Sequence, residues 1–195
     1  MTTTITGPAT DPTLVDLVAG IDEVVGRLDD EREITAAVAG LLQSALDRGI
    51  DLPASVTTPG EDRYVMYPLH VDPAGRFSIA SAVWNVGQGT PVHGHETWGV
   101  VGIHSGVEHE ISFAKPTTPG LPLVQDGEEQ WGAGSVTVCC TTDDDVHQVF
   151  CHGDQPCVGI HVYGADIGTL ERRSYAPATG EVSWFVSRWT PPVSS

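Results

Sequence analysis

Positive charge is scarce in this chain of 195 residues. Nine lysines and arginines stand against 26 aspartates and glutamates, which gives a formal net charge of −17 at pH 7. Nucleic acids and anionic membrane surfaces repel a protein with such a field, so neither is an expected partner. An anionic small molecule would need a locally positive pocket in order to bind. The charge balance therefore excludes polyanion binding and makes any buried cationic site informative.

Long apolar runs and cysteines are also scarce. No apolar stretch approaches the roughly 18 residues of a membrane span, and the N-terminus lacks the basic start and apolar run of a secretory leader. We therefore expect a cytoplasmic protein, with its four cysteines as free thiols rather than disulfides. Cys139 and Cys140 are neighbours on a predicted strand, so they are expected to face opposite ways and to form no metal clip.

The chain does contain a helical start and a turn-rich remainder. Two segments within residues 11–50 have apolar residues at helical spacing. After Pro53, short alternating segments separated by turns, including one at Asp126-Gly127, predict an antiparallel β-barrel. We expect a mainly β, single domain over residues 1–195, with the helices packed outside a barrel formed by residues 60–190.

Two histidines stand close together in the segment Thr90-Pro91-Val92-His93-Gly94-His95. Residues two apart on a strand face the same side, so His93 and His95 are expected to present two imidazoles together. Such a pair suits a borderline transition metal. The alternative is two half-exposed strand histidines without a ligand.

The surroundings of this pair resemble the first motif of the cupins, which are small double-stranded β-helix barrels that usually hold a divalent metal. In that motif a glutamate normally lies four residues after the second histidine, but here that position is Gly99. Glu96 would point to the opposite face of a regular strand and is not an expected substitute. A third ligand must come from elsewhere, and His147, at the place of the second-motif histidine of a cupin, is the candidate.

Further segments are similar to the cysteine dioxygenase family, and most of all to its bacterial 3-mercaptopropionate dioxygenase branch. The likeness covers roughly residues 60–175 and includes Tyr67-Pro68-Leu69-His70, His147-Gln148-Val149 and Ile160-His161-Val162-Tyr163-Gly164. It implies one Fe(2+) held by His93, His95 and His147. Three neutral imidazoles leave such a site with a net charge of about +2, which favours anionic partners. The remaining histidines are expected to be surface or structural: His70, His104, His109 and His152.

His161 and Tyr163 form a second cluster, because residues two apart on a strand share a face and can both point into the barrel. In the family that the chain resembles, a serine, a histidine and a tyrosine form a hydrogen-bonded relay beside the iron, but the serine position here is Gly159. We expect Tyr163 to contact the reacting atoms. His161 would orient Tyr163 and bind a water or a side chain from another strand. The alternative is that both are satisfied core residues.

Arg172 is the candidate for binding a carboxylate, because an arginine forms a planar bidentate fork with that group. The resemblance to the mercaptopropionate branch places its substrate-binding arginine at this position. The alternative is that Arg172 and Arg173 are a solvated pair that balances Glu171 and nearby acids. Met66 stands where the two branches carry arginine or glutamine, so the substrate pocket is expected to be more apolar on that side.

The resemblance implies a thiol dioxygenase that uses O2 to oxidise a small carboxylated thiol, 3-mercaptopropionate-like or cysteine, to its sulfinate. Two alternatives remain open: a cupin metalloenzyme with another oxidative or isomerase chemistry, and a non-catalytic cupin that binds a small ligand. A likeness of fold does not separate them. The expected partners are the thiol and O2, and the oligomeric state is open, with a monomer among the options.

Overall fold

The computed structural model describes residues 11–115, 120–142 and 145–193. Helix α1 spans Pro12–Val25 and helix α2 spans Glu31–Arg48. Each begins after an aspartate whose carboxylate accepts hydrogen bonds from backbone N–H groups of the first turn. A single 3-10 turn, Ala54–Val56, leads into the strands. The single domain predicted for residues 1–195 includes segments outside the described residues and stays a prediction.

The described chain forms two antiparallel sheets. Their strands are β1 Val65–Val71, β2 Ser78–Trp84, β3 Val92–His93, β4 Gly99–Ser105, β5 Val107–Ala114, β6 Val124–Gly132, β7 Val136–Cys140, β8 His147–His152, β9 Cys157–Tyr163, β10 Arg172–Tyr175 and β11 Val182–Phe185. The first sheet has the order β1-β2-β9-β4-β7, and the second has the order β11-β10-β3-β8-β5-β6.

The two helices cover the outer face of the first sheet. Leu42 of α2 approaches Gly102 of β4 so closely that a Cβ on that glycine would lie 2.9 Å from the leucine side chain. Apolar residues of both helices share one core with β1, β2, β4 and β9. Strands β2 and β9 are buried along their whole length, because helices cover one face and the barrel interior covers the other. The prediction of a mainly β, antiparallel barrel with two N-terminal helices outside it is confirmed.

One predicted turn is wrong. Asp126-Gly127 lies within β6, where Ser112 pairs with Gly127 and Phe113 pairs with Gln125. Asp126 is therefore the extra residue of a β-bulge, which bends the strand without ending it. In the part of the chain that the structure describes, no helix is long and apolar enough to cross a membrane.

Candidate metal centre

Three histidines converge inside the barrel. His93 ends β3 and lies directly opposite His147, the first residue of β8, in the antiparallel register. His95 follows β3 in a turn in which Glu96 has a φ of 58°. One ligand atom from each of the three buried histidines lies within 4.8 Å of the others. The prediction that His93 and His95 share one strand is wrong, because β3 ends at His93, but the turn brings the two rings together.

The outer ring nitrogen of each histidine faces an oxygen acceptor. The Nδ1 partners are the Pro91 carbonyl at 3.0 Å from His93, the Asp145 carboxylate beside His95, and the Glu110 carboxylate at 2.6 Å from His147. Acceptors at these positions favour a proton on Nδ1 and leave Nε2 as the free donor for a metal. The Nε2 atom of His147 is buried and has no hydrogen-bond partner among the described residues.

Burial and neighbouring groups shift the pKa values of two of these histidines and of both carboxylates behind the rings. Burial, followed by repulsion from His147, lowers the pKa of His93 and of His95 well below the usual value. Burial opposes ionisation of Glu110, but its hydrogen bonds with His147 and Trp131 outweigh burial and lower its pKa. Burial raises the pKa of Asp145 to about 6. Neutral, converging Nε2 atoms with oriented rings are the donor set that a divalent transition metal requires.

The position of the usual cupin glutamate has no room for a side chain. A Cβ on Gly99 would lie 2.6 Å from Sγ of Cys139 and 2.9 Å from Sγ of Cys140. The expectation that these thiols face opposite ways is wrong. A β-bulge between β4 and β7 leaves Cys139 unpaired in the register, and the two Sγ atoms lie 3.4 Å apart. Both are also within 4.8 Å of a ring nitrogen of His95.

His161 and Tyr163 lie side by side on β9 and are buried. The Tyr163 hydroxyl is 2.9 Å from Nδ1 of His161, and the Tyr163 ring packs against His95 with 5.2 Å between ring centroids. Burial raises the pKa of Tyr163 well above its usual value, so the phenol keeps its proton. On the other side of His161, Nε2 lies 3.6 Å from Oε1 of Glu108, a residue of β5 that the sequence analysis did not single out.

Arg172 is buried with 2% of its surface exposed, so the interpretation as a solvated pair is wrong for it. Its guanidinium lies over the Phe185 ring, 4.7 Å from the centroid, and donates to the Ser187 hydroxyl at 2.7 Å. Within the described residues, no carboxylate forms an ion pair with Arg172, and its buried Nε has no hydrogen-bond partner. Arg173 instead binds both carboxylate oxygens of Glu96, at 2.5 and 2.8 Å, which keeps that carboxylate away from the histidines.

The structure brings every predicted site residue to one cavity. It is lined by the three histidines of the cluster and by Met66, His161, Tyr163 and Arg172. Sequence reasoning missed Glu108, Glu110, Asp145 and Ser187. Glu108 and Glu110 are two apart on β5, which is a signal for a shared face. Ser187 has no such signal.

The other histidines take no part in this cluster. His70 is fully buried and stacks on Phe77, with 5.1 Å between ring centroids. His104 contacts the Ile50 carbonyl through Nε2, at 3.0 Å. His109 and His152 lie together on the neighbouring strands β5 and β8. These positions agree with the expected structural or surface roles.

No family model matches the chain. Among solved structures, the chain is similar to a double-stranded β-helix protein from Klebsiella pneumoniae, with a TM-score of 0.44, 13% identity, and coverage of 72% of this chain and 97% of that one. It is similar to a Cupin 2 conserved barrel domain protein from Salinispora arenicola, with a TM-score of 0.43, 17% identity, and coverage of 60% and 88%. It is also similar to an oxalate decarboxylase from Lactobacillus farciminis, with a TM-score of 0.43, 16% identity, and coverage of 67% and 33%. At these identities and TM-scores, the similarities carry no inference about activity.

Proposed function

We propose that the protein is a thiol dioxygenase that uses O2 to oxidise a small carboxylated thiol to its sulfinate, with Fe(2+) held by His93, His95 and His147. One observation carries the proposal: the cavity combines three converging histidines with Tyr163 and with Arg172, a buried arginine that has no ionic partner among the described residues. When bound, Fe(2+) supplies the redox chemistry for O2 and a position for the substrate sulfur.

The ligand set supports an anionic sulfur substrate. In the described part of the chain, no carboxylate belongs to the group of atoms that could hold the metal together with the three histidines. Neutral imidazoles do not cancel the charge of a divalent ion, so the site retains a positive charge that attracts a thiolate. The carboxylates of Glu110 and Asp145 are used behind the rings, where they orient His147 and His95.

Arg172 supports a substrate that carries a carboxylate. Burying a charged side chain without a partner costs several kcal/mol, roughly, and a bidentate carboxylate offsets that cost. Phe185 and Ser187 fix the guanidinium, so little side-chain entropy remains to be lost when the substrate binds. The cavity wall at Met66 is apolar and offers no charge to an α-amino group. We therefore expect a thiol such as 3-mercaptopropionate to be preferred over cysteine.

Oxygen uptake by the Fe(2+)-loaded protein tests this proposal. The substrate panel contains 3-mercaptopropionate, cysteine and a thiol of similar length without a carboxylate, and mass spectrometry identifies the sulfinate. We expect the highest kcat/KM with 3-mercaptopropionate. His93→Ala, which lacks a ligand, is the matched inactive control. If no thiol supports oxygen uptake, the alternatives are another cupin chemistry or a non-catalytic ligand-binding role.

Three accompanying expectations stay predictions. We expect a cytoplasmic location, no nucleic-acid or membrane partner, and a small thiol with O2 as the partners. These expectations rest on composition and on the family resemblance. A charge of −17 supports the exclusion of polyanions. It also requires that an anionic substrate be held by local positive charge, which the metal and Arg172 would supply together.

A further inference from the structure

Glu108 places a carboxylate at the far end of the pair formed by Tyr163 and His161. Its side chain is 4% exposed, and its Oε1 lies 3.6 Å from Nε2 of His161. Neither of these two atoms has a hydrogen-bond partner within the described ranges. Buried polar atoms without partners cost free energy, so two that face each other require an explanation.

Gly159 explains how this carboxylate reaches His161. A Cβ on Gly159 would lie 2.5 Å from Nε2 of His161 and closer still to Oε1 of Glu108. The glutamate from β5 therefore occupies the space that a side chain at position 159 of β9 would need. A hydroxyl in that space could either donate or accept a hydrogen bond, whereas an ionised carboxylate only accepts.

We propose that Glu108 is a positioning residue that favours the His161 tautomer with its proton on Nε2. With its proton on Nε2, His161 presents an N–H group to the Glu108 carboxylate. Without that proton, the lone pair of Nε2 would face a lone pair of the carboxylate oxygen, which is unfavourable. Nδ1 then carries the free lone pair, and the Tyr163 hydroxyl, 2.9 Å away, donates its hydrogen bond to it. This leaves the Tyr163 oxygen as an acceptor toward the cavity.

The direction of this hydrogen bond has a consequence for the substrate, and the consequence rests on the proposed function. A hydroxyl that donates its hydrogen bond to Nδ1 of His161 cannot also donate one to a group in the cavity. It can accept a hydrogen bond from a donor in the cavity, such as an incoming substrate thiol that still carries its proton. Glu108 lines the same cavity, but its effect on the polarity of Tyr163 would pass through its contact with His161.

Nitrogen NMR of the metal-free protein, labelled with ¹⁵N-histidine, tests the proposal without reference to activity. Two-bond nitrogen–proton correlations show which ring nitrogen of His161 carries the proton, and the variant His161→Gln assigns the signals. We expect the proton on Nε2 in the wild type. Glu108→Leu removes the acceptor and should shift the population toward the Nδ1–H form, whereas Glu129→Gln, at an exposed position of β6, should leave it unchanged.

Two results would overturn the proposal: a wild-type spectrum without a proton on Nε2, or His161 signals that are the same in the wild type and in Glu108→Leu. If the leucine variant does not fold, Glu108→Gln keeps the size of the side chain and must still change the His161 nitrogen signals. Unchanged signals in Glu108→Gln would overturn the proposal equally.

Kinetics then separate this inference from the proposed function. Because Glu108 acts through His161, Glu108→Leu should lower kcat by at least about tenfold and leave KM within about twofold. If no thiol is oxidised but the proton lies on Nε2 as expected, the proposed function fails and the role of Glu108 stands. If a thiol is oxidised and the proton lies only on Nδ1, the role of Glu108 fails and the proposed function stands.

Discussion

Replacing Arg172 by alanine should weaken the binding of a carboxylated thiol more than any other change that leaves the metal ligands intact. The guanidinium is buried and rests on Phe185 and Ser187, so its interaction with a carboxylate would be desolvated. Truncating one partner of such a pair costs about 2–5 kcal/mol. At about 1.4 kcal/mol per factor of ten, the lower bound corresponds to a rise in KM of at least about 30-fold.

Truncation also removes packing, so the assay needs a control for a distorted cavity. Arg172→Met keeps much of the volume but removes the charge and the hydrogen bond to Ser187. It should be about as stable to urea as the wild type, because the buried charge has no ionic partner in the described structure and its removal offsets the lost hydrogen bond. The substrates are 3-mercaptopropionate and a thiol of similar length without a carboxylate. We expect only the first to lose affinity. Equal losses for both substrates, or an unchanged KM for 3-mercaptopropionate, would refute the role of Arg172.

Three further predictions concern the metal centre. Glu110→Gln should weaken metal affinity by about 10- to 100-fold, because it removes the carboxylate that orients His147; competition with a chelating dye measures this, and unchanged affinity would contradict it. Tyr163→Phe should retain metal occupancy but lower kcat by about 10²-fold, since only the hydroxyl is lost; a wild-type rate would show that the hydroxyl has no role. Gly99→Ala should destabilise the protein by about 1–3 kcal/mol in urea unfolding, because its Cβ would collide with Cys139; an unchanged midpoint would mean that the bulge adapts freely.

The sequence was sufficient to predict the barrel and its outer helices. Their patterns are local: helical spacing within residues 11–50, and short alternating segments between turns thereafter. The error at Asp126-Gly127 shows the limit of such signals, because this dipeptide suits a tight turn and a β-bulge equally well. The partner strand β5 decides between the two, and that pairing cannot be read from the local residues.

The candidate site also combines residues that the local sequence predicts with residues that only strand pairing brings into place. His93, His95 and His147 could be predicted from motif and order along the chain. Their supporting carboxylates could not, because Glu110 reaches His147 only through the register of β5 on β8, across 37 residues of sequence. The proximity of Cys139 and Cys140 also depends on a bulge, which the alternation rule does not anticipate.

The proposed function requires that this cavity add both atoms of O2 to the sulfur of a small carboxylated thiol. To test this, the Fe(2+)-loaded protein is incubated with 3-mercaptopropionate under heavy-isotope O2. Mass spectrometry then identifies the product and counts the labelled oxygens. We expect a sulfinate in which both oxygens on sulfur carry the heavy isotope. A product labelled at one oxygen or at none, or the absence of any thiol-dependent oxygen consumption, would contradict it.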